Sequence, residues 1–141
     1  MTVLKYQKKI SGPLLDRIDL HIEVPRLDYD TLAVKSEGES SEIIRNRVES
    51  ARTKQRTRFD GISQKHTNSE MGTEDIKKHC VLEPDAEELL KLAVTRMQLS
   101  GRVYHRILKL ARTIADLEGA EMITKNHIAE ALQYRFKEGV G

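Results

Sequence analysis

Apolar positions recur at helical spacing through the second half of the chain. Ala86, Leu89, Leu90, Ala93 and Met97 line one face of a helix predicted from Pro84 to about Gln98. The acidic run around Glu83, Pro84 and Asp85 suits its start, where carboxylates favour the positive end of the helix dipole. Ser100 caps a second helix with the stripe Val103, Ile107, Leu110, Ala111 and Ile114, and Gly119 ends it. Thr124 opens a third, with Ile128, Ala131 and Leu132 apolar, to about Arg135. Three amphipathic helices joined by short connections predict a small antiparallel bundle.

Upstream the pattern thins. Residues 41–58 are predicted helical, capped by Ser40 or Ser41, with an apolar stripe of only Ile44, Val48 and Ala51 and with Ile43 beside it. Six cations stand there against two acids, so the helix is expected to be solvated unless something covers it. Residues 35–41 (KSEGESS) read as a linker and 60–72 as a loop, followed by a short helix from Thr73 to about His79 or Cys80. The first 26 residues differ in kind. Residues 19–24 (DLHIEV) alternate with period two and close on Pro25, which predicts a strand, preceded by a turn at residues 11–13. One strand cannot satisfy its own backbone. Its partner is therefore expected in another chain or outside this sequence.

Composition sharpens that expectation. The chain has 141 residues, 38% hydrophobic and 33% charged, with 4% aromatics and no Trp. A single core can form at this length, but a thin one, or one missing its neighbours. The net charge of +2 names no partner. No apolar run is long enough to span a membrane, residues 1–10 lack the apolar stretch of a secretory signal, and Cys80 is the single cysteine. A soluble, cytoplasmic protein, or a piece of one, is expected.

The candidate chemistry begins with what is missing. There is no G-x-x-x-x-G-K-[ST] loop and no hydrophobic run ending in an acidic pair suited to Mg²⁺, so these residues cannot cradle a triphosphate by themselves. Adjacent Cys80 and His79 would point to different sides of a helix, against a nucleophile–base pair. Arg17, directly before the predicted strand, reads either as a structural arginine paired with Asp16 or Asp19 or as a guanidinium presented to an anion on a neighbouring subunit. Arg96, Arg102, Arg106, Lys109 and Arg112 form a run of five cations, with Arg102, Arg106 and Lys109 on one face. A solvated basic face competes there with phosphate sensing. Arg102 lies in the first turn of its helix, where a cation opposes the dipole unless an anion sits at the helix end. Arg106, one turn deeper, is the second candidate. The basic helix at 41–58 reads first as a solvated face, and otherwise as a backbone-only contact to nucleic acid.

Three stretches, SGPLLDRIDLHIEVP (11–25), LSGRVYHRILKLARTIADLEG (99–119) and ITKNHIAEALQYR (123–135), give the chain a family likeness over essentially its whole length. It resembles the carboxy-terminal part of the magnesium-chelatase-like AAA+ ATPases of the ComM/YifB type. Members of that family carry a Lon-protease-like domain, then an AAA+ core with the phosphate loop, then this region. The resemblance implies a mainly α fold: residues 1–34 the end of the α/β core with its last strand, residues 35–141 the helical lid. It implies Arg17 as an arginine finger acting in trans and Arg102 as the sensor-2 arginine. The implied cofactors are ATP and Mg²⁺ in the complete protein, with none expected tightly bound to this chain, which departs from the family in lacking the phosphate loop, the Mg²⁺-binding acid and the sensor-1 residue. The implied partners are further copies of the protein in a ring, expected to be a hexamer, and DNA as the substrate of branch migration. An ATPase subunit of a chelatase complex ranks second, and a free-standing helical binding module third.

Overall fold

The computed structural model describes residues 11–15, 17–34, 38–61 and 64–135. In chain order its helices are α1 (Gly12–Leu15), α2 (Tyr29–Ala33), α3 (Ser41–Arg58), α4 (Thr73–His79), α5 (Pro84–Met97), α6 (Gly101–Glu118) and α7 (Lys125–Gln133), with a 3₁₀ turn at Asn68–Glu70. The described residues form a mostly helical bundle without a sheet; they hold one isolated parallel pairing, Leu82 with Ile123.

The bundle is organised on α6. Helices α3, α4 and α7 and the 3₁₀ turn all pack on it, and α5 packs on α7. Ala111 and Ala115 of α6 are fully buried, and side chains this small let neighbouring elements approach closely. Around them the core gathers Leu90, Ile107, Leu108, Ile123 and Ile128, with Phe59, Met71 and Ile76 from the preceding segments. The ends of these helices follow local chemistry. Pro84 stands at the start of α5, where its missing N–H costs nothing. The Ser100 hydroxyl accepts from the Val103 N–H (3.3 Å) at the start of α6, and Gly119 ends that helix in the left-handed region (φ +89°). At α7 the Thr124 N–H donates to His127 Nδ1 (3.0 Å), which leaves Nε2 of this buried ring to carry the proton toward Glu118.

Helix α3 is mostly exposed, as its thin stripe predicts, but the bundle covers its end. Its last turns bury Ala51 and Gln55 against the bundle and lead into buried Phe59, whereas Ile43, Ile44 and Val48 of its first half stay exposed. The 60–72 segment is likewise more than a loop. Its 3₁₀ turn sends Asn68 and Met71 into the interior, and residues 62–63 lie outside the described residues. Residues 19–24 run exposed and without regular structure except at half-buried His21, whose N–H donates to the Tyr134 carbonyl (2.8 Å). The expected strand is thus not formed among the described residues, because the alternation finds no neighbouring strand to bond. Residues 1–10, read as part of the same core remnant, and 136–141, at the end of the predicted lid, lie outside the described residues.

Candidate functional site

A cleft of about 560 Å³ opens along the first half of α6, between that helix, residues 19–20 and Ser69. Arg102, Arg106 and Lys109 line it, as their i, i+4, i+7 spacing predicts, together with His105 and Thr113. The three cations are engaged differently. Lys109 Nζ donates to the Ser69 carbonyl (2.9 Å), and Arg106 Nε donates to the Asp19 carboxylate. Arg102 is exposed and has no hydrogen-bond or ion-pair partner among the described residues. The first turn of α6 contains no acid to balance it. A free guanidinium beside the positive end of an 18-residue helix is an arrangement that an anion would stabilise.

Arg17 is exposed as well, with neither an ion-pair nor a hydrogen-bond partner for its side chain among the described residues. Its backbone N–H closes the turn after α1 by bonding the Leu14 carbonyl (3.0 Å). The local pairing with Asp19 is not made, since Asp19 is spent on Arg106 instead, and Asp16, the other expected partner, lies outside the described residues.

A second polar cluster escapes the sequence reading altogether. Asp116 of α6, almost completely buried, accepts from Arg58 Nη1 and Nη2 (2.7 and 2.6 Å), Asn68 Nδ2 (2.8 Å) and Arg112 Nε (3.2 Å). Arg112 also donates to the Ala120 and Glu121 carbonyls (2.6 Å each), satisfying backbone acceptors just past the end of α6. It is 2% exposed, so it does not belong to a solvated basic face. Burial alone would raise Asp116, but the hydrogen bonds from Arg58 and Asn68 and the charges of Arg58 and Arg112 outweigh it and hold the carboxyl below the usual aspartate value. Burial pulls Arg112 down, opposed by Asp116. The one local signal for this cluster was the i, i+4 pair Arg112 and Asp116.

Cys80 is a core residue. Its Sγ lies 3.7 Å from the Leu108 carbonyl, and burial pushes its thiol up to about 11. The His79 ring stands edge-on to Phe59 (5.8 Å between centroids), with burial lowering its pKa. On α3, Arg47 pairs with Glu39 (2.7 Å), Arg56 with Glu49 (3.2 Å) and Arg58 with Asp116 (2.6 Å), so half of the six cations of that helix are already engaged. Among the described residues no group of three or more His, Cys, Asp or Glu side chains is placed to hold a metal ion, and no helix is long and apolar enough to cross a membrane. The cleft cations suit phosphate oxygens, while the described residues offer no ligand set for Mg²⁺.

Residues 38–135 match the family described as magnesium chelatase, subunit ChlI C-terminal, and residues 1–32 match magnesium chelatase, subunit ChlI. Competence protein ComM of Haemophilus influenzae is 40% identical over 134 residues, 94% of this chain and 25% of that protein. YifB of Salmonella typhimurium is 40% identical and YifB of Escherichia coli 37%, each over 133 residues, 94% of this chain and 25% of the relative. The chain thus spans about a quarter of the length of the curated relatives it matches.

Proposed function

The chain belongs to the magnesium-chelatase ChlI family of AAA+ proteins, with ComM and YifB among its relatives, and from that premise we propose that it is the ATP-sensing end of a ring-forming motor. Residues 35–141 are its helical lid, and residues 1–34 are the end of the α/β core, whose strand at 19–24 is completed by a sheet elsewhere in the complete protein. Arg102 senses the phosphates of ATP bound to its own subunit. Arg17 reaches, as an arginine finger, the ATP of the adjacent subunit in a hexameric ring. DNA is the substrate moved, in the cytoplasm.

The observation that carries this reading is Arg102 at the amino end of α6, without a partner among the described residues and facing an open cleft, with no acid in the first turn of the helix. ATP with its Mg²⁺ supplies the scissile phosphoanhydride and, on hydrolysis, the energy of the motor. This chain supplies charge. Arg102 would fork onto phosphate oxygens, helped by the dipole of α6, and Arg106 lies one turn further along the same face. Arg17, always charged and without a side-chain partner among the described residues, suits the negative charge that develops on the transferring group, an effect worth roughly 10³–10⁵ in turnover where such a finger operates.

Arg17→Ala and Arg102→Ala in the complete protein are each expected to abolish ATP hydrolysis while circular dichroism and thermal melting stay those of the parent. Unchanged turnover in both would overturn the assignment. Stimulation of hydrolysis by DNA, through binding that weakens steeply with salt, is expected on the DNA reading. A second reading, an ATPase subunit of a chelatase complex, is favoured by the chelatase descriptions of both matched families. It requires stimulation by partner subunits and indifference to DNA.

A further inference from the structure

We propose that Asp19 is a positioning residue whose ion pair with Arg106 latches the segment carrying Arg17 onto the helix carrying Arg102. The two arginines are then set by one contact. The inference rests on the motor reading above.

The pair joins residues 87 positions apart. Among the described residues lining the cleft, Asp19 contributes the one carboxylate, facing Arg102, Arg106 and Lys109. The Arg106 side chain is 22% exposed and that of Asp19 64%, so the arginine is held in the wall while the aspartate comes to it from the outer segment. Two residues further on, the His21 N–H bonds the Tyr134 carbonyl just past the end of α7 (2.8 Å). The segment is therefore pinned to α6 and to the end of α7, two helices that pack against each other. Arg17 lies two residues before the first pin. Arg102 lies four residues before Arg106, about one turn or 6 Å along α6. A shift of α6 that carries Arg102 toward or away from a phosphate must then carry, through Asp19, the anchor of Arg17.

The test is a cycle of Asp19→Asn, Arg106→Gln and the double variant in the complete protein, with Asp19→Glu as the conservative control. A partly exposed pair suggests a fall in kcat of about two- to fivefold for Asp19→Asn. KM for ATP should stay near that of the parent, because Asp19 acts through Arg106 and does not touch the nucleotide. Asp19→Glu should restore turnover. In the Arg106→Gln background, Asp19→Asn should change neither kcat nor the melting temperature further. Additive effects in melting and in kcat would overturn the latch. Non-additive melting with an unchanged kcat for Asp19→Asn, where Arg17→Ala abolishes turnover, would reduce the pair to a structural contact and overturn the positioning role. Full turnover in both Arg17→Ala and Arg102→Ala would instead sink the motor reading, and the positioning role with it, whatever the melting cycle gives.

Discussion

Removing the Asp116 carboxylate should do more damage than any other single truncation of a charged side chain in the bundle. Its side chain is 1% exposed, and it accepts four hydrogen bonds, two from Arg58 and one each from Asn68 and Arg112. Asp116→Ala would leave two guanidiniums facing each other at a dry site, with Arg112 only 3% exposed and Arg58 14%. Breaking a buried pair from one side costs about 3–5 kcal/mol. Against a total stability of about 5–15 kcal/mol, that is a large share. It corresponds to a fall of about 10–20 °C in melting temperature for a domain of this size. Urea titration followed by far-ultraviolet circular dichroism would measure it, with Glu49→Ala as comparison. That variant breaks an exposed pair with Arg56 and should cost less than about 0.5 kcal/mol. The pH dependence adds a second handle. Because the folded carboxyl is held below its ordinary value of 3.8, its contribution is complete above that pH and is lost as pH falls through the folded value. Asp116→Asn should therefore flatten the acid limb of the stability curve. A loss of less than about 1 kcal/mol for Asp116→Ala would refute the reasoning, since two stranded buried cations cannot be that cheap.

Two further outcomes follow from the geometry. Gly119→Ala should destabilise the chain by about 1–2 kcal/mol in the same titration, because φ +89° is disfavoured for a residue with a Cβ and that atom would also meet the Lys54 ammonium at 3.2 Å. Cys80 should resist iodoacetamide at pH 8 in the folded state and react once urea unfolds the chain, as mass spectrometry would report, since its thiol is buried and titrates near 11.

The helices α5 to α7 were legible because their signals are local. Pro84, Ser100, Gly119 and Thr124 each act on residues within one turn, and the apolar stripes between them turn inward as their spacing requires, except for Met97 at the end of α5, which stays exposed. The final helix stops two residues short of the expected end, at Gln133. What the sequence hid lies between elements. Arg58 and Asp116 are 58 residues apart, so nothing near either one announces the other. Arg112 looked like one more cation of a basic face because its i, i+4 partner gives no sign of being buried. The same holds in the cleft. Spacing placed Arg102, Arg106 and Lys109 on one wall, but only the folded chain distinguishes Arg106, occupied by Asp19, from Arg102, which has no partner among the described residues. The alternation at residues 19–24 is a strand pattern, yet a strand is a property of two segments, and the described residues supply only one.

Helix α3 has a consequence for the order in which the molecule comes apart. Its first ten residues, about 15 Å of helix, overhang the bundle with every side chain exposed. Among the described residues it buries only Ala51 and Gln55, with Phe59 following, and its Arg58 guanidinium bonds Asp116 of α6. So few buried groups make α3 a separate cooperative unit, able to peel away while α5, α6 and α7 remain closed. The left-handed Gly61 just beyond Phe59 is a natural swivel for that motion. Backbone amides of residues 45–58 should then exchange with solvent deuterons well before those of residues 107–116, so that the chain opens in two stages, not one.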